Sequence, residues 1–107
     1  MTNYEKGRRF EYRVRDLFKE HGFFVIRAAQ SKPIDLVCLK DGKSILVECK
    51  VNRSSFDKNA RNELLTHAKT SKSLPILACR EKREVKLLNI ETHNRFSLTG
   101  EDKEKEG

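Results

Sequence analysis

Asp35, Glu48 and Lys50 are the residues of this chain whose types and spacing could do chemistry. They lie in the stretch PIDLVCLK-DG-KSILVECK, Pro33 to Lys50, where two apolar, β-branched-rich runs meet at Asp41-Gly42. Asp-Gly between such runs predicts a hairpin, because a type I′ turn needs positive φ at both central residues. With a two-residue loop Lys40 faces Lys43, and counting down the ladder sets Asp35 opposite Glu48. Side chains alternate along a strand, so Lys50 points the same way as Glu48. Facing residues have Cβ atoms roughly 4.5–5.5 Å apart, a distance at which like charges destabilise a sheet. Two carboxylates so placed require a cation between them, and a hard divalent metal with oxygen ligands is the simplest one. A bulge in either strand would shift this register.

The elements that must position these residues can be read along the chain. Thr2 and Glu5 have capping-box spacing. Phe10, Val14, Leu17 and Phe18 then make one apolar stripe on a helix of about residues 4–20, which His21-Gly22 closes. Lys6, Arg8, Arg9, Arg13 and Arg15 make this helix basic, and Glu11 sits at the margin of its buried stripe, a place equally suited to a surface ion pair with Arg8 or Arg15. Phe23 to Ala28 is predicted as a buried strand with Arg27 as its one charge. The hairpin strands are apolar on both faces: Ile34, Leu36 and Cys38 on one, Asp35, Val37 and Leu39 on the other, as in a central pair covered on both sides. A polar loop bearing Arg53 leads to a second helix, residues 58–70, which turns Ala60, Leu64, Leu65 and Ala68 inward. Strand, helix, strand at this spacing predicts a crossover to a parallel strand, LPILAC. Arg80 to Arg83 reads as a charged turn and Val85–Ile90 as a last strand. The expected class is α/β: a mixed sheet with helices against it, in the order α-β-β-β-α-β-β.

The chain has 107 residues and a net charge of +7, which predicts one small domain with a polyanionic partner. Residues 101–107 hold four acids and two lysines, so residues 1–100, the expected single domain, are more basic than the whole. The tail is predicted to be disordered. Cys38, Cys49 and Cys79 lie in apolar runs without metal-ligand spacing, which predicts reduced, buried thiols and an intracellular, cytoplasmic protein. No apolar run approaches the roughly 20 residues that span a bilayer, so no membrane partner is expected.

These residues also carry a resemblance. Asp35, twelve residues, then Glu48-Cys49-Lys50 resembles the PD-(D/E)XK nuclease signature, with Pro33-Ile34-Asp35 in place of adjacent Pro-Asp. Lys6-Gly7 followed by Glu11, then HGFFVIRAAQSKPIDLV, a hairpin and ILVECKV is similar to the archaeal Holliday junction resolvase family, from about Lys6 to Val51. The resemblance implies a restriction-endonuclease-like fold and Mg²⁺-dependent cleavage, with Mn²⁺ able to substitute. It implies metal ligation by Glu11, Asp35, Glu48 and the Cys49 backbone carbonyl, and places Lys50 beside the attacking water. It assigns Arg27 and Ser31 to DNA contact or assistance. Lys6, Arg8, Arg9, Lys32 and Arg53 are the cations expected to meet phosphate. The implied partners are branched double-stranded DNA, a four-way junction, and a second copy of the chain; no small-molecule cofactor is implied. The chain departs from the family at Tyr12, where arginine is common, so that grip on phosphate is either missing or supplied by Arg8 or Arg9. Two other readings stay open: a PD-(D/E)XK nuclease of flaps or other DNA, and a non-catalytic DNA-binding module of the same fold.

Overall fold

The computed structural model describes residues 1–28 and 34–99; the expected DNA contacts Ser31 and Lys32, and the expected tail at 101–107, lie outside them. A first helix, α1 (Asn3–Glu20), opens on the predicted capping box. The Glu5 N–H donates to Thr2 Oγ1 at 3.1 Å and the Thr2 N–H to Glu5 Oε1 at 2.9 Å. Gly22 then takes φ +88, a left-handed conformation that costs glycine little. Six strands follow in one sheet: β1 (Phe24–Arg27), β2 (Leu36–Lys40), β3 (Lys43–Lys50), β4 (Leu74–Glu81), β5 (Glu84–Asn89) and β6 (Asn94–Arg95). Their spatial order is their sequence order, and the β3–β4 pair alone is parallel. The crossover between those two is α2 (Lys58–Ser71), N-capped by Asp57, whose Oδ1 accepts from the Ala60 N–H at 2.8 Å.

The two helices cover opposite faces. Phe10, Val14 and Phe18 of α1 pack with Leu36, Cys38, Ile45, Val47, Ile76 and Ala78. Leu64 and Ala68 of α2 pack with Leu46, Leu77, Cys79 and Leu88. β3 therefore buries both of its faces, as its unbroken apolar run predicts. Lys40 ties the end of α1 to the hairpin by donating from Nζ to the His21 carbonyl at 2.7 Å.

Three expectations need correction. β1 is an edge strand, not a buried one: Phe24 is 66% and Ile26 43% exposed. The predicted turn at Arg80 to Arg83 is shorter, since β4 runs on to Glu81 and only Lys82 and Arg83 turn, both at positive φ. A short β6 then adds to the far edge, its pairing completed where the Phe96 N–H meets the Leu87 carbonyl at 2.8 Å. The three thiols are free; Cys38 and Cys79 are fully buried and Cys49 partly so. Burial pushes the Cys38 thiol up to about 12, so it stays protonated and inert. No described helix is long and apolar enough to cross a membrane.

Candidate metal centre

The hairpin has the predicted register from Leu36↔Val47 to Lys40↔Lys43, with Asp41 and Gly42 at φ 50 and 76. At Asp35, one residue outside that ladder, the chain bends. The Asp35 N–H goes to the Val47 carbonyl at 2.9 Å, and the Cys49 N–H donates to Asp35 Oδ2 at 2.8 Å. Such a bend exchanges faces, as a one-residue slip does in any strand. Ile34, expected beside Leu36 and Cys38, packs instead with the α2 cluster. Asp35 turns the other way and lines a cleft of about 460 Å³ with Cys49 and with Tyr4, Arg8 and Glu11 of α1. The direct opposition of Asp35 and Glu48 is therefore not formed. Glu48 keeps its place two residues past Leu46, buried to 6% exposure, with Lys50 Nζ 3.6 Å from its Oε2.

Each carboxylate has a protein partner of its own. Glu11 Oε1 accepts from Arg27 Nη2 at 3.2 Å, neither from Arg8 nor from Arg15, the two surface partners its helix position suggested. Arg15 turns to Asp16 instead, at 2.9 Å. Burial is the chief cause that lifts the Asp35 carboxyl above the usual carboxylate range; the Cys49 N–H opposes it, the Glu11 charge adds to it, and Lys50 and Arg27 oppose it. Burial also pushes the Cys49 thiol far up, helped by the charges of Asp35, Glu11 and Glu48 in that order. Asp35 and Glu11 share the cleft with Cys49, while Glu48 and Lys50 lie one residue to either side of Cys49 on β3. Among the described residues no three His, Cys, Asp or Glu side chains are drawn close enough to enclose an ion as they stand. Chemically the set fits one: three carboxylates and a backbone carbonyl are hard oxygen donors, and their surplus negative charge is what a divalent cation neutralises.

A model of the archaeal Holliday junction resolvase (Hjc) family matches residues 2–104. The chain belongs to that family. It is 30% identical to the crossover junction endodeoxyribonuclease Hjc of Methanocaldococcus jannaschii, over 80% of this chain and 67% of the relative. The solved structure of Archaeoglobus fulgidus Hjc, a Holliday junction resolvase, shares the fold with a TM-score of 0.70 at 20% identity, covering 86% of this chain and 79% of that one. The resolvase family is one of metal-dependent nucleases, so this chain is a nuclease and the class it was expected to join is the class it has.

Around these carboxylates the other expected cations among the described residues fall in three places. Arg8 and Arg27 line the carboxylate cleft. Lys6 and Arg9 lie in a separate groove of about 490 Å³ that Arg13, Arg80 and Val51 also line, with no acidic side chain among its lining residues. Arg53 stands apart, in a 3-10 turn (Arg53–Ser55) beside Phe56 and Arg61 on the α2 side. Arg80 was legible only as part of a charged turn, because its approach to α1 depends on β4 lying parallel to β3. Tyr4 and Tyr12 were not singled out for contact chemistry. Their signal was helical spacing: Arg8 lies over Tyr4 at i+4, 5.1 Å from the ring centroid, and Arg15 over Tyr12 at i+3, at 4.6 Å.

Proposed function

We propose that this chain binds four-way DNA junctions and resolves them by paired nicks, as a Mg²⁺-dependent phosphodiester hydrolase working as a homodimer in the cytoplasm. Residues 1–100 form its single nuclease domain. The observation that carries the reading is the cleft that Glu11 and Asp35 share beside Cys49, with the Cys49 N–H held on Asp35 at 2.8 Å and the Glu48–Lys50 pair flanking Cys49 on β3. The site lies where β3 ends, and ligands of open α/β sheets bind at the carboxyl ends of strands.

Glu11, Asp35, Glu48 and the Cys49 carbonyl would hold Mg²⁺, with Mn²⁺ as a substitute. When bound, the ion supplies positive charge where hydrolysis of a phosphodiester gathers negative charge, and it polarises the attacking water. The remaining work belongs to the chain. Lys50 is a compact cation that can lie against both the water and the scissile phosphate, donating to the oxygens as charge builds on them. Glu48 beside it, at 3.6 Å, holds the ammonium in place. Arg27 fixes the Glu11 carboxylate and, with Arg8 at the cleft wall, presents guanidinium to the DNA backbone. Lys6 and Arg9 in the neighbouring groove, with Lys32 and Arg53, meet phosphates away from the cut.

A labelled, fixed four-way junction incubated with and without Mg²⁺, with cuts mapped on all four strands, tests the reading. Paired symmetric cuts that require the ion are expected, and the separate duplex arms should stay whole. Equal cutting of arms and junction would favour a general nuclease, and tight binding without any cut would favour a binding module.

A further inference from the structure

Two guanidinium groups lie against the ring of Tyr12. The Arg15 Cζ lies 4.6 Å from its ring centroid and the Arg27 Cζ 5.0 Å. Two like charges share one ring when each gains from its negative face. Each guanidinium also has one carboxylate: Arg15 Nε donates to Asp16 Oδ1 at 2.9 Å, and Arg27 Nη2 to Glu11 Oε1 at 3.2 Å. The Arg27 Nε is buried and finds no acceptor among the described residues. The ring of Tyr12 and the Glu11 carboxylate are therefore what hold this guanidinium in place. The next link matters for chemistry, because a carboxylate at the edge of a site keeps its direction only if its donor is fixed.

We propose that Tyr12 is a positioning residue: its ring face fixes the Arg27 guanidinium, and Arg27 in turn fixes the Glu11 carboxylate toward Asp35 and Cys49. The inference rests on Glu11 belonging to the nuclease site. It assigns a use to the residue at which this chain departs from the resolvase pattern, with an aromatic face doing the holding and the hydroxyl unneeded. Tyrosine therefore differs here from leucine of similar bulk, and phenylalanine replaces it.

The test uses the full chain and its variants Tyr12→Phe, Tyr12→Leu, Arg27→Met and the double variant Tyr12→Leu/Arg27→Met. In the metal-free protein, nitrogen-15 spectra of the arginine side chains read the Tyr12–Arg27 stacking directly. The Arg27 Nε–H signal should be shielded by the ring relative to the exposed Arg53, unmoved in Tyr12→Phe, and shifted and faster-exchanging in Tyr12→Leu. With junction and Mg²⁺ saturating, Tyr12→Leu should slow a single turnover about tenfold, the size of a partly desolvated cation–π contact. Junction affinity and thermal midpoint should stay close to those of wild type, and Tyr12→Phe should recover the rate. In the Arg27→Met background Tyr12→Leu should cost less than about twofold more, since the ring has nothing left to hold. Full additivity in that cycle, or a rate that falls equally in Tyr12→Phe, overturns the proposal. If Tyr12→Leu does not fold, an unshielded Arg27 signal in wild type overturns it by itself. A wild-type chain that cuts no junction while the Arg27 signal behaves as described would sink the nuclease reading and leave the Tyr12–Arg27 contact standing.

Discussion

Asp35 is held at a cost. Its carboxyl is buried beside Glu11, and the Cys49 N–H, Lys50 and Arg27 do not fully offset that burial, so its proton leaves less readily in the folded chain than in the unfolded one. The linkage sign follows: between the unfolded and the folded value the native state binds more protons, so stability falls as pH rises through that window. Above it the full penalty remains. Asp35→Asn keeps an acceptor for the Cys49 N–H and removes the charge. In metal-free protein it should raise the thermal midpoint at pH 7, with the gain fading below about pH 4, where the unfolded carboxyl is itself protonated. The same substitution, like Glu48→Gln, should abolish junction cleavage while binding survives or tightens, because each removes an anion that repels phosphate. Rate and affinity measured on the same samples check both halves. A buried carboxylate that destabilises its own fold is a common sign of function. Asp35→Asn chains that cut normally would remove it from the site.

The β2–β3 hairpin shows which part of an element a sequence discloses. Its turn was legible because Asp-Gly is among the pairs that most readily take two positive φ values in a row, whereas Lys82-Arg83 takes two as well without such a signal. Gly42→Ala should therefore cost about 1 kcal/mol in urea melts, from left-handed backbone alone. No atom lies within 4 Å of a Cβ built there, so a clash does not contribute. The register was legible too, since turn length sets it, and so were the capping box of α1 and the parallel crossover through α2. The bend at Asp35 was not. Nothing in Pro33-Ile34-Asp35 by itself decides between a straight strand and one that ends early; the choice rests on Glu11, Arg27 and Cys49 arriving from three other elements. The consequence is that Asp35 and Glu48 were singled out by type and spacing and Glu11 by the family resemblance, while the face on which Asp35 meets Glu11 came only with the fold. β1 misled for a related reason. An unbroken Phe-Phe-Val-Ile run looks like a buried strand, but being at a sheet edge is a property of the assembled sheet and leaves no local mark.

At the level of the whole molecule, charge and symmetry make separate demands. Lys6, Arg9, Arg13 and Arg80 share one groove beside the carboxylate cleft, so a DNA backbone crossing α1 can meet both. Binding should fall steeply with salt, and each cation withdrawn from a phosphate, as in Arg9→Gln, should flatten the slope of log K against log salt by about 0.9. A flat affinity between low and moderate salt would remove the electrostatic case. Symmetry then bears on assembly. Resolution takes two nicks in opposing strands placed evenly about the branch point, and each chain offers one Asp35, Glu48 and Lys50 set. A two-fold pair of chains matches a two-fold substrate, and C₂ dimers are the commonest soluble assembly. The outward residues of α2 are polar, among them Asn59, Asn62, Glu63 and Thr66. The large exposed apolar residues among those described are Met1, Tyr4, Phe24 and Ile26. Phe24 and Ile26 lie on one face of the edge strand β1, where a second copy would bury them at little cost. Sedimentation at micromolar protein should give a dimer, and Phe24→Asp, a change at an exposed site, should yield a folded monomer that nicks one strand poorly and makes no paired cuts. Mixing wild-type chains with Glu48→Gln chains should give heterodimers that nick one strand and leave the opposing one intact. A monomer at those concentrations that still makes two symmetric cuts per junction would show that one chain suffices.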